Sequence, residues 1–196
     1  MLRIPPKEEL RDKPLLAPHS TLMPLLAADG PELWEVVDAS RSWLDPWLPW
    51  VPFQKNVDAS RRFAEASARE WDVGRALRFV MRERPGGDMI GIVGLENCQP
   101  LHRSCELGYW LREQATGRGL MTEAARTCLA FAFDTVGAHR VRVAAATENH
   151  PSLRVIERLG FRYEGRARQA EWVGGRWVDH AVFALLETDW RSHEAP

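Results

Sequence analysis

Apolar residues recur along this 196-residue chain with two distinct periods. Leu120, Met121, Ala124, Ala125, Cys128, Leu129, Ala132 and Val136 fall at three- and four-residue spacing, leaving Glu123, Arg126, Thr127 and Asp134 for other faces. That spacing predicts one apolar stripe on an α-helix, stopped by Gly137. The same period predicts a helix opened by Asp29-Gly30-Pro31, with Leu33, Trp34, Val36 and Val37 on its apolar face. Another is capped by Asn56 or Asp58 and runs to about Asp72, with Phe63, Ala64, Ala66, Ala68 and Trp71 inside it. A short helix opens at 148–152, with Pro151 suited to its first position, Leu153, Ile156 and Leu159 on its inner face, and Gly160 at its end.

Shorter apolar runs bounded by turn residues read as strands at 21–26, 76–84, 89–96, 104–111, 140–146, 161–171 and 177–186. Pro85-Gly86-Gly87-Asp88 turns one hairpin and Val173-Gly174-Gly175-Arg176 another. The order is strand, two helices, three strands, helix, strand, helix, two strands. It predicts an α/β (α+β) fold, a mixed and mostly antiparallel sheet flanked by helices, as a single domain over residues 19–190. Residues 1–18, with Pro5, Pro6, Pro14 and Pro18 among mixed charges, read as an extended or mobile N-terminal arm. Residues 191–196 read as a C-terminal tail.

Between the first two helices, Trp43, Trp47 and Trp50 fall within eight residues, and three prolines prevent a regular helix there. Two readings stand. The loop folds its own aromatics onto the core, or Trp47 and Trp50 wall an acceptor pocket.

Composition narrows the classes. A chain of this length fits one domain and buries roughly 70% of its unfolded surface. A net charge of −1 supplies no global field for nucleic acid or an anionic membrane, so neither is expected as a partner. The mixed charges and prolines at the N-terminus do not form a secretory signal. No uncharged apolar run approaches the ~20 residues of a membrane span. Cys98, Cys105 and Cys128 show no C-x-x-C spacing, which points to a reducing, cytoplasmic setting. The six histidines form no H-x-x-x-H pair, so no metal is expected.

The stretch from Gln114 to Glu123 joins the 104–111 strand to the long helix through Gly117 and Gly119. Glycines let the backbone approach a ligand, N–H groups converge, and the helix end adds positive potential. A diphosphate is the natural occupant, with an ordinary loop as the alternative. The three-glycine dinucleotide pattern is absent, and no Gly-Lys-Ser/Thr closes a P-loop.

The fuller spacing, Gln114-x-x-Gly117-x-Gly119, resembles the acetyl-CoA pyrophosphate loop of the GNAT N-acetyltransferases. Asn149-x-x-Ser152, with Glu157-Arg158-Leu159-Gly160-Phe161 downstream, is similar to a second segment of that family. Glu106-Leu107-Gly108-Tyr109-Trp110-Leu111 and the tryptophan loop resemble its Rim-type branch, the ribosomal-protein alanine and serine N-acetyltransferases. The motifs stand in the family's order across nearly the whole chain.

The resemblance implies acetyl-CoA as co-substrate and a splayed central strand pair, with the pantetheine arm lying between the strands. It implies coenzyme contacts from Leu111, Gln114, Gly117, Arg118, Gly119, Leu120, Met121, Thr122, Asn149 and Arg154, although Arg118 and Arg154 also suit a solvated surface. Trp47, Trp50 and Tyr109 would face the acceptor. Glu106 is the candidate general base, acting through water from an otherwise apolar strand where desolvation would raise its pKa. A structural ion pair with Arg142 or Arg103 is the alternative. Ser152 is the candidate acid for the departing thiolate, with a helix-cap role as its alternative. Many family members carry a tyrosine acid where this chain has Ile156, so Ser152 or water must serve.

The implied activity is direct acetyl transfer to the primary amine of a protein N-terminus or a small molecule, with no covalent cysteine intermediate. An enzyme dedicated to an antibiotic, polyamine or amino acid is the nearest alternative. A non-catalytic acyl-CoA-binding module is another, and a homodimer is permitted but not required.

Overall fold

The structure, a computed structural model, describes residues 1–194. Eight strands form one sheet: β1 (Leu15–Leu16), β2 (Ser20–Pro24), β3 (Leu77–Glu83), β4 (Met89–Gln99), β5 (Ser104–Leu111), β6 (Arg140–Ala146), β7 (Arg162–Val173) and β8 (Arg176–Leu186). Their order is β1-β2-β3-β4-β5-β6-β8-β7, and every neighbouring pair is antiparallel except β5 and β6. The helices are α1 (Lys7–Asp12), α2 (Gly30–Ala39), α3 (Arg41–Leu44), α4 (Val57–Asp72), α5 (Leu120–Ala130), α6 (His150–Arg158) and α7 (Glu187–Glu194).

Alternation along the strands gives the sheet two apolar faces. Phe79, Val93, Leu95 and Leu107 join Leu120, Ala124, Cys128, Ile156 and Trp190 in one core. Val80, Ile92 and Trp110 meet Leu33, Val37, Leu44 and Ala64 of the other layer in a second. Local chemistry sets the helix starts where the apolar period predicts them. The Asn56 side chain accepts the Ala59 N–H (2.9 Å) at the start of α4. The stripe of α5 is buried, and its continuation, Phe131–Val136, widens into a π turn before Gly137 at φ 75°. That widening carries Phe131, Ala132, Phe133 and Val136 all into the core, which a uniform helical period does not foresee.

Both chain ends depart from expectation. The first eighteen residues are no extended arm. Leu2 is buried, Arg3 N–H donates to Val136 O (2.9 Å), and the Trp71 indole donates to Pro5 O (2.9 Å). Leu15 and Leu16 pair with Leu22 and Thr21. Ile4, Leu10 and Leu15 supply the apolar anchors that the prolines obscured. At the other end, the expected tail begins inside α7, with residues 195 and 196 outside the described region. Trp190 fixes that helix, 2% exposed and stacked on Phe133 with ring centroids 5.6 Å apart. Among the described residues, no helix is long and apolar enough to cross a membrane.

The parallel pair creates the opening that matters. β5 and β6 share register only at Ser104↔Arg140, Cys105↔Val141 and Glu106↔Arg142. Beyond Glu106, β5 stays with β4 as far as Gly91↔Leu111, while β6 stays with β8 as far as Ala146↔His180. The two strands therefore part, leaving facing main-chain edges outside the sheet's hydrogen bonding.

Candidate active site

Beyond the fork, β5 leads through a tight turn, Glu113–Ala115, to Thr116, Gly117, Arg118 and Gly119. Gly117 and Gly119 adopt φ 75° and 79°, a left-handed conformation that side chains resist, and a Cβ on either would meet open space. Backbone shape, not crowding, demands these glycines. Gly119 caps α5 with no side-chain hydrogen bond, so the first N–H groups of the helix keep their free donors and positive end.

A cavity of about 270 Å³ opens beside this loop. Its walls are the loop and the first turn of α5, residues Tyr109, Trp110 and Leu111 of β5, the start of α6, and Trp43, Leu44, Trp47 and Leu48. Eleven of the expected site residues line it together: Trp47, Tyr109, Leu111, Gly117, Gly119, Leu120, Met121, Thr122, Asn149, Ser152 and Arg154.

Four expected residues lie elsewhere. Gln114 is exposed in the turn before the loop. Arg118 is ion-paired with Glu83 of β3, which fastens the loop to the sheet. Trp50 stacks on Phe63 (centroids 6.4 Å) and tilts against Trp110 (5.9 Å), so it belongs to the core. The tryptophan loop thus divides: Trp43 and Trp47 face the cavity while Trp50 packs inward. The fourth is Glu106, at the last β5–β6 register pair and outside the cavity lining. Arg142 Nη1 donates to its Oε1, and Asn97 Nδ2 donates to its Oε2 (3.0 Å). It is therefore a paired carboxylate at the fork, and Arg142 is its partner. Arg103 instead serves Gly137 O (2.7 Å) and Glu187 (3.0 Å).

Sequence reasoning missed Trp43, Leu44, Leu48, Trp110, Ala115, Thr116, Pro151, Val155 and Arg158. The last two follow from helical spacing, because Val155 lies one turn from Ser152 and Arg158 one turn from Arg154. Leu44 and Leu48 carried no comparable signal, since only the folded loop turns them toward the cavity.

At the start of α6 the cap is not the Ser152 side chain. Asn149 is the cap, its Oδ1 accepting the Ser152 N–H at 3.2 Å. The Ser152 hydroxyl is left to meet Tyr109 Oη at 2.9 Å. Burial pushes the Tyr109 phenol up to about 12, against the opposing pull of its hydrogen bond to Ser152. The three cysteines are buried outside the lining; a hydrogen bond with Cys105, together with burial, holds Cys98 in the protonated form, and burial does the same for Cys128.

The arrangement suits a long, flexible ligand ending in a diphosphate: free amides at a helix start, a slot between parted strands, and an apolar chamber with a hydroxyl pair.

A family model described as an acetyltransferase (GNAT) domain matches residues 20–162. YdaF of Bacillus subtilis (strain 168), a putative ribosomal N-acetyltransferase, is 28% identical over 181 residues, which cover 90% of this chain and 96% of that protein. Mycobacterium smegmatis RimJ, solved in complex with CoA-disulfide, aligns at TM-score 0.81 and 29% identity over 88% of this chain and 85% of its own. RimL, a ribosomal alpha-N-protein acetyltransferase in complex with coenzyme A, aligns at TM-score 0.84 over 90% and 98% of the two chains, and its 21% identity speaks for the fold alone. The chain belongs to the GNAT family and is an N-acetyltransferase that takes its acetyl group from acetyl-CoA.

Proposed function

We propose that this enzyme acetylates the N-terminal amine of a protein or peptide by direct attack within a ternary complex. The observation that carries this reading is the lining of the cavity. Trp43, Trp47, Leu48 and Trp110 wall it, and among the described residues no carboxylate lines it. A polyamine or aminoglycoside carries several ammonium groups that need carboxylate partners once desolvated. A peptide end brings one reacting amine flanked by uncharged groups, which an apolar wall accepts. The name of YdaF, a putative ribosomal N-acetyltransferase, supports the same acceptor class.

Each residue then has a part. Main-chain amides at Gly117, Gly119 and the first turn of α5 hold the diphosphate, and the guanidiniums of Arg154 and Arg158 add positive charge along the same cavity. The unpaired edge of β5 and the Asn149 amide align the arm. Acetyl-CoA supplies an activated acyl group as a thioester. Ser152 gives a proton to the departing sulfur. Glu106, at the fork, takes the amine's proton through water. Arg118 stays with Glu83 and acts as a loop fastener. A cytoplasmic location accords with the three free, buried cysteines.

The test is free-thiol release from acetyl-CoA with N-terminal peptides, spermidine and an aminoglycoside as acceptors. Peptides should give the highest kcat/KM. A higher value for spermidine or the aminoglycoside would move the assignment to a small-molecule enzyme. Heat on coenzyme titration without thiol release from any acceptor would indicate a binding module.

A further inference from the structure

The slot between the parted strands is bridged by one pair of side chains that line the cavity. Tyr109 stands on β5 beyond the last β5–β6 register pair, and Ser152 lies in the first turn of α6, on the β6 side. Tyr109 Oη lies 2.9 Å from Ser152 Oγ and 3.3 Å from Ser152 O. Other hydroxyls on the lining are differently placed, since Thr116 donates to Glu113 O (2.7 Å) and Thr122 belongs to α5. Ile156, one turn along α6, is fully buried and has no proton to offer.

Asn149 fixes the backbone of Ser152 through its N–H, so the serine keeps one freedom, the direction of its own O–H. The phenol decides that direction. If Tyr109 only accepted, the serine proton would point at Oη. If Tyr109 donates to Oγ, the serine proton is free to turn into the cavity.

We propose that Tyr109 is a positioning residue that donates to Ser152 Oγ and aims the Ser152 proton at the departing sulfur. This rests on the reading of Ser152 as the proton donor. As the C–N bond forms, the C–S bond breaks and its electron pair goes to sulfur. Ser152 Oγ gives sulfur a proton and regains one from solvent water, while the proton of the attacking nitrogen passes through water to Glu106, which returns it to solvent. Tyr109 keeps its own proton throughout. Desolvation pushes the half-buried phenol up to about 12, so it remains a donor in the alkaline range where acceptor amines are neutral.

The experiment is a double-mutant cycle with Tyr109→Phe and Ser152→Ala, measured on kcat and on KM for acetyl-CoA. Tyr109→Phe keeps the ring, so kcat should fall about tenfold, one hydrogen bond's worth, while KM stays within about twofold. Ser152→Ala should cost at least as much, and the double variant should be no slower than Ser152→Ala alone. Multiplicative losses would overturn the proposal, because Tyr109 would then act independently of Ser152. Wild-type kcat in Ser152→Ala would instead remove the serine from the acid role, a separate failure that takes the inference with it.

A second readout needs no coenzyme. The chain has two tyrosines, Tyr109 and the exposed Tyr163. With ¹³Cζ-labelled tyrosine, Ser152→Ala should shift the Tyr109 resonance and leave that of Tyr163 in place. An unmoved Tyr109 signal would overturn the contact.

Discussion

Gly119 shows how a single residue couples the chain's shape to its ligand. Its φ of 79° ends the loop and starts α5, leaving the helix's first amides free. Gly119→Ala should lower stability by about 1 kcal/mol in urea unfolding, the cost of a left-handed alanine, and should raise the coenzyme dissociation constant in calorimetry. Glu106→Gln should lower kcat by about 100-fold with coenzyme affinity intact. Unchanged turnover would leave that carboxylate as the structural partner of Arg142 and Asn97. Tyr109 makes a prediction about pH. Its phenol is raised from 10.0 to about 12 in the folded protein. The folded state therefore holds this proton more tightly than the unfolded chain. That contribution to stability is complete below about pH 10 and is lost as the pH climbs through about 12. Tyr109→Phe should flatten this alkaline slope in unfolding measured across the interval.

At the scale of elements, the periods in the sequence located most helices and strands, because each buries one face against the sheet. They failed where a partner outside the element decided the outcome. Phe131–Val136 widens so that four of its residues reach the core, and α7 exists because Trp190 finds Phe133. Trp190→Ala should cost about 3–5 kcal/mol in denaturant unfolding, the usual loss on truncating a buried aromatic side chain. The tryptophan loop is the same lesson in reverse. Three tryptophans close together in sequence take two directions, Trp43 and Trp47 toward the cavity and Trp50 onto Phe63, because each follows the apolar surface nearest to it.

For the whole molecule, the function depends on two strands that separate. β5 is held to β4 up to Gly91↔Leu111, and β6 is held to β8 along its length, so each strand keeps one partner and the slot opens between them. Gly91 makes the first of these pairings possible. A Cβ there would lie 2.2 Å from Trp110 O, a contact that backbone must yield to. Gly91→Ala should push the end of β5 out of register with β4. The expected result is a lower Tm together with weaker coenzyme binding, compared by thermal melts with and without coenzyme A. An unchanged coenzyme-induced rise in Tm would mean that the slot tolerates this shift.

The sequence by itself determined the order of the strands and main helices between β2 and β8, the glycine loop at the start of α5 and the residue types around the coenzyme site. These depend on near neighbours: periodicity, φ preference and capping are written within a few residues of where they act. Only the tertiary structure decided which side chains share the cavity, that Glu106 is paired with Arg142, that Arg118 serves Glu83, and that Tyr109 meets Ser152. Those outcomes depend on contacts between residues far apart in the chain. Such distances are fixed by sheet register and by where β5 and β6 part, and no local pattern encodes either.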